Sequence, residues 1–150
     1  MPQFIFQLQA VLQNRQHIEY DRQRDVASVQ SKLTALELQL MRLDDEVKAS
    51  NEIMRRDHLT GPIDTGILSA HRRYLAMTQK QAAEIIAAMQ KINADLESAR
   101  IKLSQAALDR KTMEILREKY KNQWKQKQQH SQAAEQDEIA MQMFYRNTVK

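Results

Sequence analysis

The side chains in this sequence best suited to metal binding or proton transfer are four histidines, His17, His58, His71 and His130. None belongs to an HExxH motif, and no two stand at the i,i+4 spacing that puts a ligand pair on one helix face. His58 and His71 flank one loop, which is too little for a metal shell by the usual ligand rules. The carboxylate run Asp44-Asp45-Glu46 falls on the solvated side of a helix, where nothing desolvates it or tunes its pKa for acid–base work. GxxxxGK[ST], GxGxxG and GxSxG are all missing. The expectation is a protein with no catalytic residue, no metal and no cofactor, and no enzymatic activity.

A second constellation could bind rather than react. Arg110, Lys111, Arg117, Lys119, Lys121, Lys125 and Lys127 are interleaved with Tyr120 and Trp124, the pattern of cations and stacking platforms used on single-stranded nucleic acid. Against that, Glu135-Gln136-Asp137-Glu138 follows soon after, and no zipper follows the basic stretch. A basic nucleic-acid-binding coiled coil stays open as an alternative, with no nucleic acid expected as the partner. The charge itself is unevenly placed. Residues 1–109 carry 14 Lys/Arg against 14 Asp/Glu, whereas residues 110–150 carry nine against five, so the whole excess of +4 lies in the last quarter. Such a region suits an acidic protein surface, nucleic acid or anionic lipid.

The elements that must position these residues are helices. With 2 Gly, 2 Pro and 5% aromatics in 150 residues, the punctuation that a sheet fold requires is missing. Long stretches of Ala, Leu, Gln, Glu, Lys, Arg and Met favour helix throughout. Zero Cys fits a reducing cytosol, and no apolar run approaches the ~20 residues needed to span a bilayer. The opening residues lack the basic and long apolar regions of a signal peptide, so a soluble protein without membrane insertion is expected.

One place stops a helix, Thr60-Gly61-Pro62-Ile63-Asp64-Thr65-Gly66. The expected layout is a single coiled-coil domain over 1–150, with helix 1 at about 4–58, a turn at 60–66 and helix 2 at about 67–146. Asp64, Thr65 or Ser69 can cap helix 2. Val26, Val29, Leu33, Leu36, Leu40, Leu43 and Val47, continued by Ser50 and Met54, recur at alternating spacings of three and four. Leu75, Thr78, Ala82, Ile85, Met89, Ile92, Leu96, Ala99, Leu103 and Ala106 repeat the pattern. Two heptad stripes joined by a short turn must meet antiparallel, so the fold class is all-α, two long helices in an antiparallel coiled-coil hairpin. Facing residue numbers should then add to about 125 or about 132. The larger sum matches large side chains, Leu40 with Ile92 and Leu36 with Leu96, and sets Ser50 opposite Ala82, Leu8 opposite Trp124 and Leu12 opposite Tyr120. The last ~20 residues of helix 2 should project without a partner and fray.

Below Val26 the stripe degrades to Phe4, Leu8, Val11, Arg15, Ile18 and Arg22, and helix 2 answers with Arg110 and Arg117 around Met113 and Tyr120. Long basic side chains at such sites either snorkel to water or wait for burial in another protein. A gripped base is therefore expected at Arg15, Arg22, Arg117, Tyr120, Lys121, Trp124 and Lys125. At the loop end, Met54, His71, Tyr74 and Met77 are the contact candidates.

The opening Phe4-x-Phe6-x-Leu8-x-x-Val11-Leu12-x-x-Arg15 with Glu19 resembles the start of the FliJ family of flagellar export proteins. Leu116-x-Glu118-x-Tyr120, Glu135-x-Asp137-Glu138-x-Ala140 and Tyr145-Arg146 resemble its closing segment, and Arg73-Tyr74-Leu75 fits its middle. Gln136 departs from the family, which usually has a hydrophobic residue there. The resemblance covers the whole chain. It implies a helix pair like that of the rotary ATP synthase γ subunit, in a non-enzymatic component of the flagellar type III export apparatus. It implies that the base enters a FliI-like hexameric export ATPase and promotes its assembly, that the tip reaches the export gate protein FlhA, and that export chaperones bind as well. It also implies a cytoplasmic protein held peripherally at the inner face of the cell membrane at the flagellar base, serving flagellum biogenesis and, through it, chemotaxis. A stalk protein of a virulence type III secretion system is the near alternative.

Overall fold

The computed structural model describes residues 3–148, and these form two long helices: α1 (Gln9–Ile53, 45 residues) and α2 (Thr65–Thr148, 84 residues). A five-residue π-helical turn, Met54–His58, closes α1. No strand occurs among the described residues, and the fold is an all-α helical hairpin. The chain groups into two compact units, residues 21–104, which contain the loop, and residues 1–20 with 105–150, which contain both termini.

The loop-bearing unit follows the heptad pattern closely. From Val26 to Met54 on the first arm and Leu75 to Leu103 on the second, every position of the two stripes is buried or half-buried. Leu33, Met54, Thr78 and Leu96 are the most enclosed. Thr78 is the one polar member of that set, and its hydroxyl donates to the Tyr74 carbonyl at 2.8 Å, so no lone polar group is left in the seam. A two-helix layer cannot cover a stripe completely, which is why most of its residues stay half-buried.

The turn is built from backbone chemistry. The Leu59 N–H donates to the Met54 carbonyl at 3.1 Å, the i−5 bond that widens the last turn of the first arm. Gly61 then takes φ +104°, a left-handed value that L side chains resist, and Pro62 bars its predecessor from the α region. Asp64 is the cap of α2: its Oδ1 accepts from the Gly66 N–H at 2.8 Å and its carbonyl from the Leu68 N–H at 3.2 Å. Accordingly α2 starts at Thr65, two residues before the expected 67.

The register differs from the expected larger sum. Ser50 lies beside His71, with Oγ and Nδ1 3.4 Å apart, and not opposite Ala82. Ala82 instead lines a groove with Leu43. In the other unit, Arg15 meets Asp109 and Phe6 meets Tyr120, so Leu12 and Leu8 do not face Tyr120 and Trp124 as the larger sum required. These pairs belong to the sum near 125. A sum of 132 would centre the turn on Gly66 and carry the first helix through Gly61-Pro62, which the proline ring forbids.

The start of the first helix also differs. Regular helix begins at Gln9, not Phe4, and Gln3–Phe6 have no regular structure. Phe4 is half-buried, Ile5 is 81% exposed and Phe6 is buried, a period-two alternation. Extended backbone puts both phenylalanines on one side, whereas a helix would turn them about 200° apart. The tail contrasts with the expected fraying. Residues 129–148 are all exposed, yet α2 runs on regularly to Thr148, as its Ala, Gln, Glu and Met content favours.

Candidate functional site

Around the termini, aromatic rings from the two chain ends pack together. Phe4 lies against Trp124 with ring centroids 6.0 Å apart, and Phe6 meets Tyr120 edge-on at 6.1 Å, the tilted geometries that ring quadrupoles prefer. Trp124 stays half-buried and Tyr120 is 42% exposed, so each presents part of its ring to solvent. Arg117 and Lys125 on the same helix are exposed, and Lys121 is half-buried with its ammonium 4.0 Å from Glu118. Five of the seven expected base residues therefore belong to this small aromatic cluster or lie beside it on the same helix.

The remaining two behave otherwise. Arg15 spends its guanidinium on Asp109 across the helix pair at 3.2 Å. Arg22 falls in the loop-bearing unit and bridges Asp25 on its own helix at 3.1 Å. Sequence reading missed Phe4, Phe6, Glu19 and Asp109 as partners at this end. The Phe-Ile-Phe alternation was the available signal for the first two, since it fits extended chain and no helix. For Glu19, the signal was a carboxylate one turn after Arg15 opposite a helix that offers both signs of charge.

Arg110 is the most engaged cation of the group. It donates to Glu114 at 2.7 Å along its own helix and also to Glu19 across the pair, and those two hydrogen bonds, in that order, make its guanidinium more basic still. The cations of 111–127 do not form a stripe. At 100° per residue, Lys111, Arg117, Lys119, Lys125 and Lys127 point around the whole circumference, where a phosphate backbone could not meet them together.

At the loop end, His71 bridges to the first arm with both ring nitrogens, Nδ1 to Ser50 and Nε2 to Asn51 Oδ1 at 3.1 Å. Its ring lies 6.3 Å from that of Tyr74, which is 37% exposed, and Met77 beyond it is 65% exposed. Met54 is only 7% exposed and packs in the seam, so it has no surface to offer a partner. Tyr74 and Met77 are the accessible pair, with His71 setting their place. Further along the same unit, a groove of about 600 Å³ is lined by Leu40, Leu43, Val47, Leu75, Ala82 and Met89, with Glu37 and Asp44 on its rim. It exists because the second arm places Thr78 and Ala82 where the first places Leu43 and Val47.

Two features complete the surface. Ile139, Met143, Phe144 and Tyr145 on the terminal turns of α2 are between 53% and 68% exposed. Among the described residues, no three His, Asp or Glu side chains converge as a metal site, and no helix is long and apolar enough to cross a membrane.

A family model described as Flagellar FliJ protein matches residues 4–148. The chain belongs to the FliJ family. No curated protein and no solved structure matches it. Membership makes it a flagellar export-associated protein, in a family of non-catalytic components of the export apparatus. The match takes in both the aromatic cluster and the loop end of this FliJ-family chain, so the two candidate surfaces lie inside the family region.

Proposed function

We propose that this FliJ-family protein is a stalk-like coiled coil that links the flagellar export ATPase to the export gate. Its terminal end, with Tyr120, Trp124, Arg117, Lys121 and Lys125, enters the centre of a FliI-like hexamer and promotes its assembly. Its loop end, with Tyr74 and Met77 beside His71, engages the gate protein FlhA, and export chaperones are further partners. The protein then works in the cytoplasm, peripherally at the inner face of the cell membrane at the flagellar base. The observation that carries the reading is the partly exposed aromatic and basic cluster formed by the two chain ends. Large rings half-embedded among cations are what a protein ring can grip, since such anchors desolvate well and account for most of an interface's energy.

The test is direct. Adding the protein to the purified export ATPase should raise the hexamer fraction and the hydrolysis rate, and Trp124→Ala should weaken that effect without lowering helicity. No change in either quantity at stoichiometric excess of the wild-type protein would refute the ATPase arm. For the gate arm, Tyr74→Ala should reduce capture of FlhA while leaving ATPase stimulation intact.

A further inference from the structure

In the unit made of residues 1–20 and 105–150, two ionic bridges of opposite polarity cross between α1 and α2. Arg15 Nη1 donates to Asp109 Oδ2 at 3.2 Å, and the other Asp109 oxygen accepts from Gln105 Nε2 at 3.1 Å. One turn along, Arg110 Nε donates to Glu19 Oε2, while its Nη1 donates to Glu114 at 2.7 Å. Helix α1 thus supplies the cation in the first bridge and the anion in the second. Each central partner is held from both sides, Asp109 by Arg15 and Gln105, Arg110 by Glu19 and Glu114. The Glu19 side chain is 14% exposed and that of Arg110 28% exposed, so this pair sits well into the seam.

The turn sets the offset beside the loop, but the heptad stripes far from it leave the local pairing degenerate, because a slide of seven residues returns apolar positions to apolar positions. The ionic residues break that degeneracy. Sliding α2 by seven in one direction would set Arg15 against Lys102 and Glu19 against Leu103, a repulsion and an unpaired carboxylate. Sliding it in the other direction would set Arg15 against Leu116, Glu19 against Arg117, Asp109 against Arg22 and Arg110 against Val26, leaving two guanidiniums, those of Arg15 and Arg110, unpaired. Of the three offsets, the observed one pairs all four of Arg15, Glu19, Asp109 and Arg110.

We propose that Arg15–Asp109 and Glu19–Arg110 act as a reciprocal register latch, which selects the offset that seats Phe4 on Trp124 and Phe6 on Tyr120. Their role is discrimination between registers more than added stability, because partly exposed ion pairs gain little net free energy while mismatched ones are penalised. These four residues are positioning residues: they touch no partner themselves and set where the aromatic rings stand.

The chain has no cysteine, so engineered thiol pairs report register without background. Phe6→Cys with Tyr120→Cys reads the observed offset, and Phe6→Cys with Lys127→Cys reads the offset slid by one heptad. In the otherwise unchanged protein, the first pair should oxidise readily and the second hardly at all. Adding Arg15→Gln and Arg110→Gln, which removes both bridges but leaves Glu19 and Asp109 the partners they would meet in the slid offset, should raise the slid-to-observed disulfide ratio roughly tenfold, the scale expected when two such bridges are lost. An unchanged ratio with helicity retained would overturn the latch. Should that variant lose its helicity, the charge swap decides. Arg15→Asp alone must raise the ratio, and Arg15→Asp with Asp109→Arg must bring it back to the original value or below, since Arg at 109 would meet Arg22 in the slid offset. Failure of either step overturns the proposal.

Discussion

The two compact units solve the same pairing problem with different chemistry. In residues 21–104, the register follows from a short capped turn and a regular apolar stripe, with Thr78 as its only buried polar residue. In residues 1–20 with 105–150, the apolar stripe thins out, and the helices are matched by two ion pairs, one buried leucine and a pair of aromatic contacts. A stripe far from any turn has nothing but its own side chains to choose a register. Polar residues in a seam are the usual device for that choice, and they leave the surface richer in charge and exposed ring edges. The end of the molecule that needs the most specification is for that reason also the end best equipped to be recognised.

The comparison is most sharply broken at Leu12, the only described side chain that is almost fully enclosed, at 1% exposure. Leu12→Ala should destabilise the protein by about 3 kcal/mol, as buried leucines do, and hydrogen exchange should show the loss concentrated in residues 1–20 and 105–128. An even loss over both units would mean that they do not behave as separate packing regions. The turn should respond less. Gly61→Ala places a Cβ at φ +104° in open space, so the strain is of the backbone alone and should cost about 1 to 2 kcal/mol, read as a lower thermal midpoint of the loop-bearing unit. Removing the exposed Lys48–Asp44 pair with Lys48→Met should leave the midpoint unchanged, since both partners are more than half exposed. Asp44 holds the Lys48 ammonium above its ordinary 10.5, first through the hydrogen bond and then by charge. Whatever that pair contributes is therefore complete at neutral pH and is lost only as pH rises through the folded-state value.

How much of this was legible in the sequence divides along the same line. From Val26 to Met54 and from Leu75 to Ala106, each position that spacing named is buried or half-buried, because a period of 3.5 has only one face to bury; of the others, half-buried Ala88 escaped it. The offset between the stripes was not legible from side-chain size. Matching Leu40 to Ile92 looks favourable, but Gly61-Pro62 ends the first arm earlier than that match allows. Near the termini the helical reading of Phe4 failed, because Phe4 and Phe6 use extended backbone to reach one side. The sequence offers Met54 both as the last member of the stripe and as a contact residue at the loop end, and at 7% exposure it keeps only the first of these places. The ionic partners Glu19 and Asp109 were invisible to hydropathy. A charge at a seam position reads as a defect until its partner on the other helix is known.

The half-buried stripe has a thermodynamic consequence. The chain exposes 12279 Å², against the roughly 7,900 Å² that area scaling gives a compact protein of its 17.6 kDa. The unfolded chain would expose about 25,500 Å² by the same scaling, so folding hides roughly half of it where a compact protein hides about 70%, and the heat-capacity change and the denaturant slope should both be smaller than usual for its length. A flat stability curve of that kind resists cold as well as moderate heat, but it leaves a shallow free-energy minimum. Docking into a larger assembly would cover part of the apolar stripe that folding leaves half exposed, so calorimetry should find a negative heat-capacity change on binding, smaller than that of folding.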